Sequence, residues 1–213
     1  MIFPTINDMW NYFNLQLDKF QAPSFIESEF VDFLNNAILY YQKQCFDQYQ
    51  IIEKDTDNTR LFVVPVNNQS VVNNQITLPD DYKWMTRVGV NVNYSNCHNV
   101  TKSYATRARI RLDSVWDMIQ IDPFNQPNYK RVYYEIIGQT LTFYSGSDIV
   151  ANTSYKYFKM LVPITWDISN GFLGTIPIPQ DQQIDLFNII MKLALENIEQ
   201  PRLKTFDETP IKV

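Results

Sequence analysis

The sequence predicts an α+β fold in which helices at both ends of the chain flank a central antiparallel β block. Two patterns indicate this fold: apolar residues recur every three or four positions near both ends, and they alternate with polar residues in between. Helices that are segregated from a block of strands are typical of α+β proteins. The 213 residues suit one ordinary domain, so we expect a single domain over 1–200 and an extended C-terminal tail over 201–213.

Two amphipathic helices are predicted near the N-terminus, within 5–53. Thr5 with Asp8 resembles a capping box and Ser24 with Glu27 matches the full pattern, so a helix should begin at each pair. The second helix carries an apolar stripe with spacings of three and four, formed by Phe30, Phe33, Leu34, Ala37, Ile38, Tyr41 and Cys45. A helix of this length spans a whole small domain at about 1.5 Å per residue.

A third long helix is predicted over 182–199. Its apolar face consists of Ile184, Phe187, Ile190, Met191, Ala194, Leu195 and Ile198. We expect Pro201 to end this helix, because proline lacks the N–H that a helix interior requires. The two N-terminal helices and this one are expected to form a bundle.

The region 60–163 is expected to be mainly β. A β-branched run is closed by Pro65, and a long strand fits 84–94, where three valines at alternate positions share one face. Strand-like runs on both sides of Gly138 predict a hairpin, and a further strand fits 155–162. These strands would form the antiparallel block.

Two segments interrupt or follow the strands. A short helix, capped by Asp113, is expected near 113–120. The loop over 163–180 contains several prolines and glycines, yet it also holds apolar residues that include Trp166, Phe172 and Leu173. Long loops are often functional, and one this apolar needs a surface to cover it, either its own core or another chain.

Catalytic and metal-binding patterns are weak in this sequence. The one histidine, His98, follows Cys97, and adjacent side chains diverge, whereas a Cys–His nucleophile pair must face each other. A zinc site needs three or four ligands, and only one histidine and two cysteines exist. Carboxylate pairs have simpler interpretations as turn formers, caps or solvated groups at Asp55/Asp57, Asp80/Asp81 and Asp113/Asp117. We therefore expect no catalytic residue, no metal and no cofactor.

The net charge of -5 argues against a basic domain for free nucleic acid. The densest basic cluster is Arg107, Arg109 and Arg111, which share one face if the chain is extended there. In an acidic chain, salt bridges to a neighbouring subunit explain these arginines better than DNA contacts do, and a solvated stripe is the remaining interpretation. The 13 tyrosines and 14 phenylalanines favour an oligomer, because aromatic residues are enriched at interfaces.

No membrane partner is expected from the sequence. The first residues lack a basic start followed by an apolar run, and no apolar stretch reaches the roughly 18–20 residues of a membrane span.

The order and spacing of several weak motifs resemble head–tail adaptor proteins of podovirus-type phages, also called tail tubular protein A-like connectors. The resemblance covers most of 5–200, and the Asn-rich, aromatic character is similar to structural proteins of crAss-like phages. The motifs that carry it are Leu78–Tyr82 with Trp84 and the valine-rich strand, Asp122–Pro127 after a short helix, Tyr134–Tyr144, Tyr155–Pro163, and Ile178–Pro179 before the helix 184–198.

The resemblance implies a structural virion protein without enzymatic activity, located in the neck of a phage particle and assembled in the host cytoplasm. Identical subunits, usually twelve, would form a ring that docks under the portal protein, extends the DNA channel and presents a platform to downstream tail and neck ring proteins. The genome would pass without specific binding. In such adaptors the C-terminal tail often reaches onto the portal, which would give that role to Arg202, Phe206 and Ile211.

Three alternatives remain open at this point. The chain could form a different ring of the same neck or tail that contacts only other tail proteins, or it could be a tail or baseplate component of another phage type. Less favoured is a small hydrolase that uses one of the carboxylate pairs, which would need a concave polar cleft.

Overall fold

The computed structural model describes residues 3–19, 24–52, 56–95 and 101–208, with the backbone alone at 57–58 and 199–208. Its helices and antiparallel sheets confirm the predicted α+β class. Where the sequence predicts one domain, the chain divides into two compact units. We call Met1–Ile52 with Leu161–Val213 the helical unit, and Glu53–Met160 the β unit.

The elements follow one another along the chain in an order close to the predicted one. They are α1 Ile6–Lys19, α2 Glu27–Ile52, α3 Asp57–Arg60, β1 Val63–Ser70, β2 Gln75–Thr77, β3 Tyr82–Ser95, β4 Thr101–Arg107, β5 Arg109–Ile110, α4 Asp113–Ile121, β6 Tyr133–Ile137, β7 Thr140–Tyr144, β8 Ile149–Lys159, β9 Thr165–Asp167, β10 Gly171–Leu173 and α5 Gln183–Glu208.

The first predicted capping box is present and the second has moved. The Thr5 N–H donates to Asp8 Oδ2 at 3.0 Å, and the Asp8 N–H donates to Thr5 Oγ1 at 3.1 Å. At α2 the prediction from Ser24 is wrong, because the Ile26 N–H donates to Glu29 Oε2 at 3.0 Å and the helix begins at Glu27. A glutamate that reaches back to the cap N–H sets the helix start two residues later than the serine would.

The core of the helical unit is aromatic. Phe30 on α2 lies under two rings of α1, with centroids 5.2 Å from Trp10 and 5.1 Å from Phe13. Tyr12 of α1 meets Phe187 of α5 at 5.0 Å. Each fully buried large side chain contributes roughly 1.5–3 kcal/mol of transfer free energy. These contacts join the three helices in pairs, and the regular bundle stays a prediction.

The segment 163–180 is more ordered than the predicted irregular loop. It contains the small hairpin β9–β10, in which Phe172 pairs with Trp166. Asn35 of α2 holds the entry to this hairpin: its Nδ2 donates to the Ile164 carbonyl at 2.8 Å, and its Oδ1 accepts from the Ile164 N–H at 2.9 Å. A side-chain amide that satisfies both backbone groups replaces a strand partner there.

α5 continues past Pro201 to Glu208, so the predicted helix end at Pro201 and the extended tail over 201–208 are wrong. A proline removes one helical hydrogen bond and kinks a helix, but it does not force the residues after it out of helical conformation. Arg202, Leu203 and Lys204 are good helix formers, which favours continuation.

Two four-stranded sheets build the β unit. One has the antiparallel order β1-β8-β3-β4, and the other has the order β2-β7-β6-β5 with a short parallel pair between β5 and β6. The predicted long strand and the hairpin around Gly138 are confirmed as β3 and β6–β7. Inward side chains of both sheets share one core, which includes Val88, Val90, Val92, Tyr134, Leu141 and Phe143.

Two boundaries in the β unit differ from the prediction. β1 does not stop at Pro65 but runs on to Ser70. It is an edge strand, where the missing N–H of a proline leaves no sheet bond unmade. α4 begins at Asp113, so Leu112, rather than Asp113, occupies the cap position, without a side-chain cap bond.

Candidate interaction surface

α4 and the residues at its two ends present several large apolar side chains to solvent. Leu112 precedes the helix, Val115, Met118 and Ile121 lie on it, and Phe124 lies in the turn after it. Their exposed fractions run from 37% at Val115 to 82% at Ile121. We call these five residues the α4 stripe. Several large apolar side chains exposed on one short helix and its ends are typical of an interaction surface.

The face of α4 that carries Trp116 packs against the rest of the β unit. Trp116, 6% exposed, has its ring centroid 5.6 Å from that of Tyr133 and 5.0 Å from that of Tyr144. The Arg111 guanidinium lies over the Trp116 ring at 4.9 Å. Because this face is held by buried aromatic contacts, the stripe is presented on a supported helix.

A polar network ties the base of α4 to β6 and β7. Arg111 Nη1 donates to Glu135 Oε2 at 2.7 Å and to the Tyr144 hydroxyl oxygen at 2.9 Å, and Tyr144 donates to the same carboxylate at 2.7 Å. The hydrogen bond to Glu135, with burial second, raises the pKa of Tyr144. The network keeps Tyr144 protonated and in place under Trp116.

The turn after α4 positions Phe124. Asp122 Oδ1 accepts from the Phe124 N–H at 2.8 Å, and its Oδ2 accepts from Asn125 Nδ2 at 2.6 Å. These hydrogen bonds, led by the one from Phe124, lower the pKa of Asp122. The exposed phenyl ring therefore stands on a turn with its own bonds rather than on a loose loop.

The structure does not bring the three predicted arginines into one row. The N–H of Ala108 bonds to Val88 in the first sheet, whereas the N–H of Arg109 bonds to Val132 in the second, so the chain changes sheets at this point. Arg111 finds its carboxylate partner, Glu135, inside the chain rather than in a neighbour. Arg107 and Arg109 are exposed, and their predicted contact with another subunit stays a prediction.

The three contact residues predicted in the 163–180 segment have different surroundings in the structure. The Phe172 ring meets Phe30 edge-on at 6.0 Å and Trp10 at 6.5 Å, so its partner is the core of the helical unit. Trp166 and Phe172 line a cleft of about 860 Å³ within that unit. Leu173 is 43% exposed and stays available as a contact. The segment's own core is thus the partner of Phe172, and contact of Leu173 with another chain stays a prediction.

The C-terminal predictions are only partly covered by the structure. Arg202 and Phe206 lie on the helical backbone of α5, and Ile211 lies outside the described residues. Cys97, His98 and Asp55 also lie outside the described residues. Of the other carboxylate pairs, Asp81 accepts a hydrogen bond from the Tyr157 hydroxyl at 2.7 Å, and Asp113 lies 3.3 Å from Arg111 Nε.

The two units carry opposite formal charges. The helical unit has thirteen acidic and six basic residues, a charge of -7, and the β unit has ten acidic and twelve basic residues, a charge of +2. Together they give the -5 of the whole chain. Such asymmetry favours contacts between unlike units of two copies over contacts between like units.

Neither the family models nor the curated proteins contain a match to the chain. Within the described ranges, no group of three or more His, Cys, Asp or Glu side chains could hold a metal ion. None of the helices in the same ranges is long and apolar enough to cross a membrane.

Proposed function

We propose that this protein is a structural ring component of a phage neck, a head–tail adaptor that docks under the portal protein and extends the DNA channel. The observation that carries the proposal is the α4 stripe: five large apolar side chains are exposed on α4 and at its two ends, while Trp116 fixes the helix to the β unit. Exposed apolar side chains gathered on one supported helix are typical of a surface that contacts another subunit.

The charge separation supports a head-to-tail arrangement of copies. A ring requires a heterologous contact, in which two different surfaces of the subunit meet. A helical unit at -7 and a β unit at +2 attract one another between copies and repel their own kind.

The proposal is tested by measuring mass. Native mass spectrometry of the purified chain, alone and mixed with purified portal protein of the same phage, should give a complex in which many copies of the chain, about twelve, accompany one portal ring. The double variant Met118→Glu, Ile121→Glu should fold normally and fail to assemble, since each charge would be buried in the contact at a cost of several kcal/mol. The double variant Asp117→Asn, Gln120→Glu, on exposed positions of the same helix, is the matched control and should assemble.

The outcomes separate the alternatives. Assembly of the chain with tail proteins but not with portal would identify another ring of the neck or tail. A monomer in every mixture, or normal assembly of the stripe variant, would contradict the proposal.

A further inference from the structure

The edge strand β4 is unusually open for a protein of this size. β4 ends the sheet order β1-β8-β3-β4, so among the residues that the structure describes one side of the strand has no neighbour in the sheet. All of its residues except Thr106 are exposed. Unpaired N–H and C=O groups along such an edge form a template for another strand.

Among the edges of the two four-stranded sheets, three are protected and β4 is not. β1 contains Pro65, a register shift between Val66 and Gln69, and a positive φ of 53° at Asn68. β2 and β5, the edges of the second sheet, have three residues and two residues. By contrast, the register of β4 with β3 is unbroken from Thr101 to Arg107, without proline or bulge. Proline, bulges and shortness are the usual means of closing an edge.

The hydrogen-bond pattern shows which groups of β4 are available. The Ala108 N–H donates to the Val88 carbonyl at 3.0 Å, which makes this pair a bonded one. Bonded and non-bonded pairs alternate in antiparallel ladders. With the observed register, Tyr104 and Thr106 therefore bond to β3, whereas Ser103 and Ala105 direct their N–H and C=O groups away from it.

The charges near β4 indicate the chemical character of a strand that could bind to this edge. Residues 82–110, which include β3, β4 and β5, contain five basic residues and no acidic one. Lys102 and Arg107 lie on β4 itself, and Thr106 Oγ1 contacts the Lys130 carbonyl at 3.3 Å. A second β4 strand would add cations to cations, whereas an acidic strand would complement them.

We propose that β4 is a docking edge for an extended, acidic segment of a partner protein, which joins the sheet as a fifth strand. The backbone groups of Ser103 and Ala105 make the new ladder, and the cations beside it select carboxylate side chains. This is strand addition, in which main-chain bonds provide affinity and side chains provide specificity. It is independent of the α4 stripe and would hold for a protein that forms no ring.

The test uses the full chain and three peptides with the frame Thr-x-Val-Thr-Val-x-Val-Thr, where x is Glu, Gln or Lys. Titration followed by NMR should show the Glu peptide binding at least tenfold more tightly than the Lys peptide, with weaker binding at higher salt. The amides of Ser103 and Ala105 should shift and exchange more slowly with solvent in the complex. This readout needs no variant.

A variant pair then tests the edge itself. Ala105→Pro removes an outward N–H and leaves the bonds to β3, so the fold should persist and binding should fall at least tenfold. Ala105→Val keeps the N–H and should bind within twofold of the original chain. The proposal is overturned by absence of Glu-peptide binding, by equal binding of all three peptides, by full binding to Ala105→Pro, or by pairing of β4 with a second copy instead.

Discussion

Gly146 and Gly138 occupy two turns with the same backbone conformation and different surroundings. Their φ angles are 70° and 59°, a region that side chains disfavour. A Cβ on Gly146 would lie 2.6 Å from the backbone oxygen of Pro127, whereas a Cβ on Gly138 would have nothing within 4 Å. The absence of a side chain at Gly146 therefore allows two backbone segments to approach each other, which the hairpin turn does not require.

The two glycines give a matched pair of variants. Gly138→Ala should cost about 1 kcal/mol, the usual penalty for a side chain at positive φ. Gly146→Ala should cost about 1–3 kcal/mol more, because the backbone must also move. Urea unfolding of both variants and of the original chain measures the difference, and equal losses would contradict it.

Tyr41 and Cys45 form a buried pair of weak acids on α2. Burial, followed by the nearby charges of Cys45, Asp185 and Asp181, raises the pKa of Tyr41 to about 12. Burial also raises the pKa of Cys45 to about 11, against the opposing hydrogen bond with Tyr41. Both groups are therefore neutral in the folded protein at neutral pH.

The raised pKa values predict loss of stability in alkali. The unfolded chain releases these protons near 9 and 10, the ordinary values, whereas the folded chain holds them to about 11 and 12. The stability that the pair contributes is complete below about pH 9 and is lost as the pH rises toward 12. Urea midpoints across this range should fall less steeply for the double variant Cys45→Ala, Tyr41→Phe than for the original chain. An unchanged slope would show that other tyrosines dominate.

At the scale of elements, local sequence patterns predicted which helices and strands exist. They did not predict which face of an element is buried. The helices α1 and α2 begin within two residues of the expected positions, because caps and apolar spacing are local signals. The spacing at α4 could not show which apolar face is buried. Trp116 is covered by Tyr133 and Tyr144, which belong to the later strands β6 and β7. The residues of the α4 stripe remain exposed.

The sequence also did not predict which side chains pair with each other. The partner of Arg111 is Glu135, 24 positions away, and no periodicity joins the two. The α4 stripe itself had a signal, since apolar residues at intervals of three continue to Ile121. The sequence therefore indicated an exposed apolar surface here, because one short helix cannot bury both Trp116 and the α4 stripe.

The last part of α5 makes a prediction at the same scale. Within the side chains that the structure describes, the buried residues of this helix extend to Ala194. A chain ending at Gln200 should keep its unfolding free energy within about 1 kcal/mol. Under the adaptor proposal it should no longer bind portal, and circular dichroism with a portal pull-down checks both. Normal binding of the shortened chain would remove the C-terminal segment from that contact.

For the whole molecule, the sequence predicted the α+β class but not the division of the chain into two units. The -5 of the sequence conceals a difference of nine charges between the helical unit and the β unit. An average taken over the chain cannot show it, because the helical unit is assembled from two distant stretches. The same averaging conceals the basic character of 82–112, which contains no carboxylate.

The discontinuity of the helical unit also sets an order for synthesis on the ribosome. α1 and α2 are translated first, yet Phe187, which covers Tyr12, is translated after the whole β unit. All strands β1 to β8 find their sheet partners within the β unit, so this unit can be complete while α5 is still being made. The face of α1 around Tyr12 therefore stays uncovered until α5 is made, and a nascent chain stalled before residue 183 should be the form that chaperones bind.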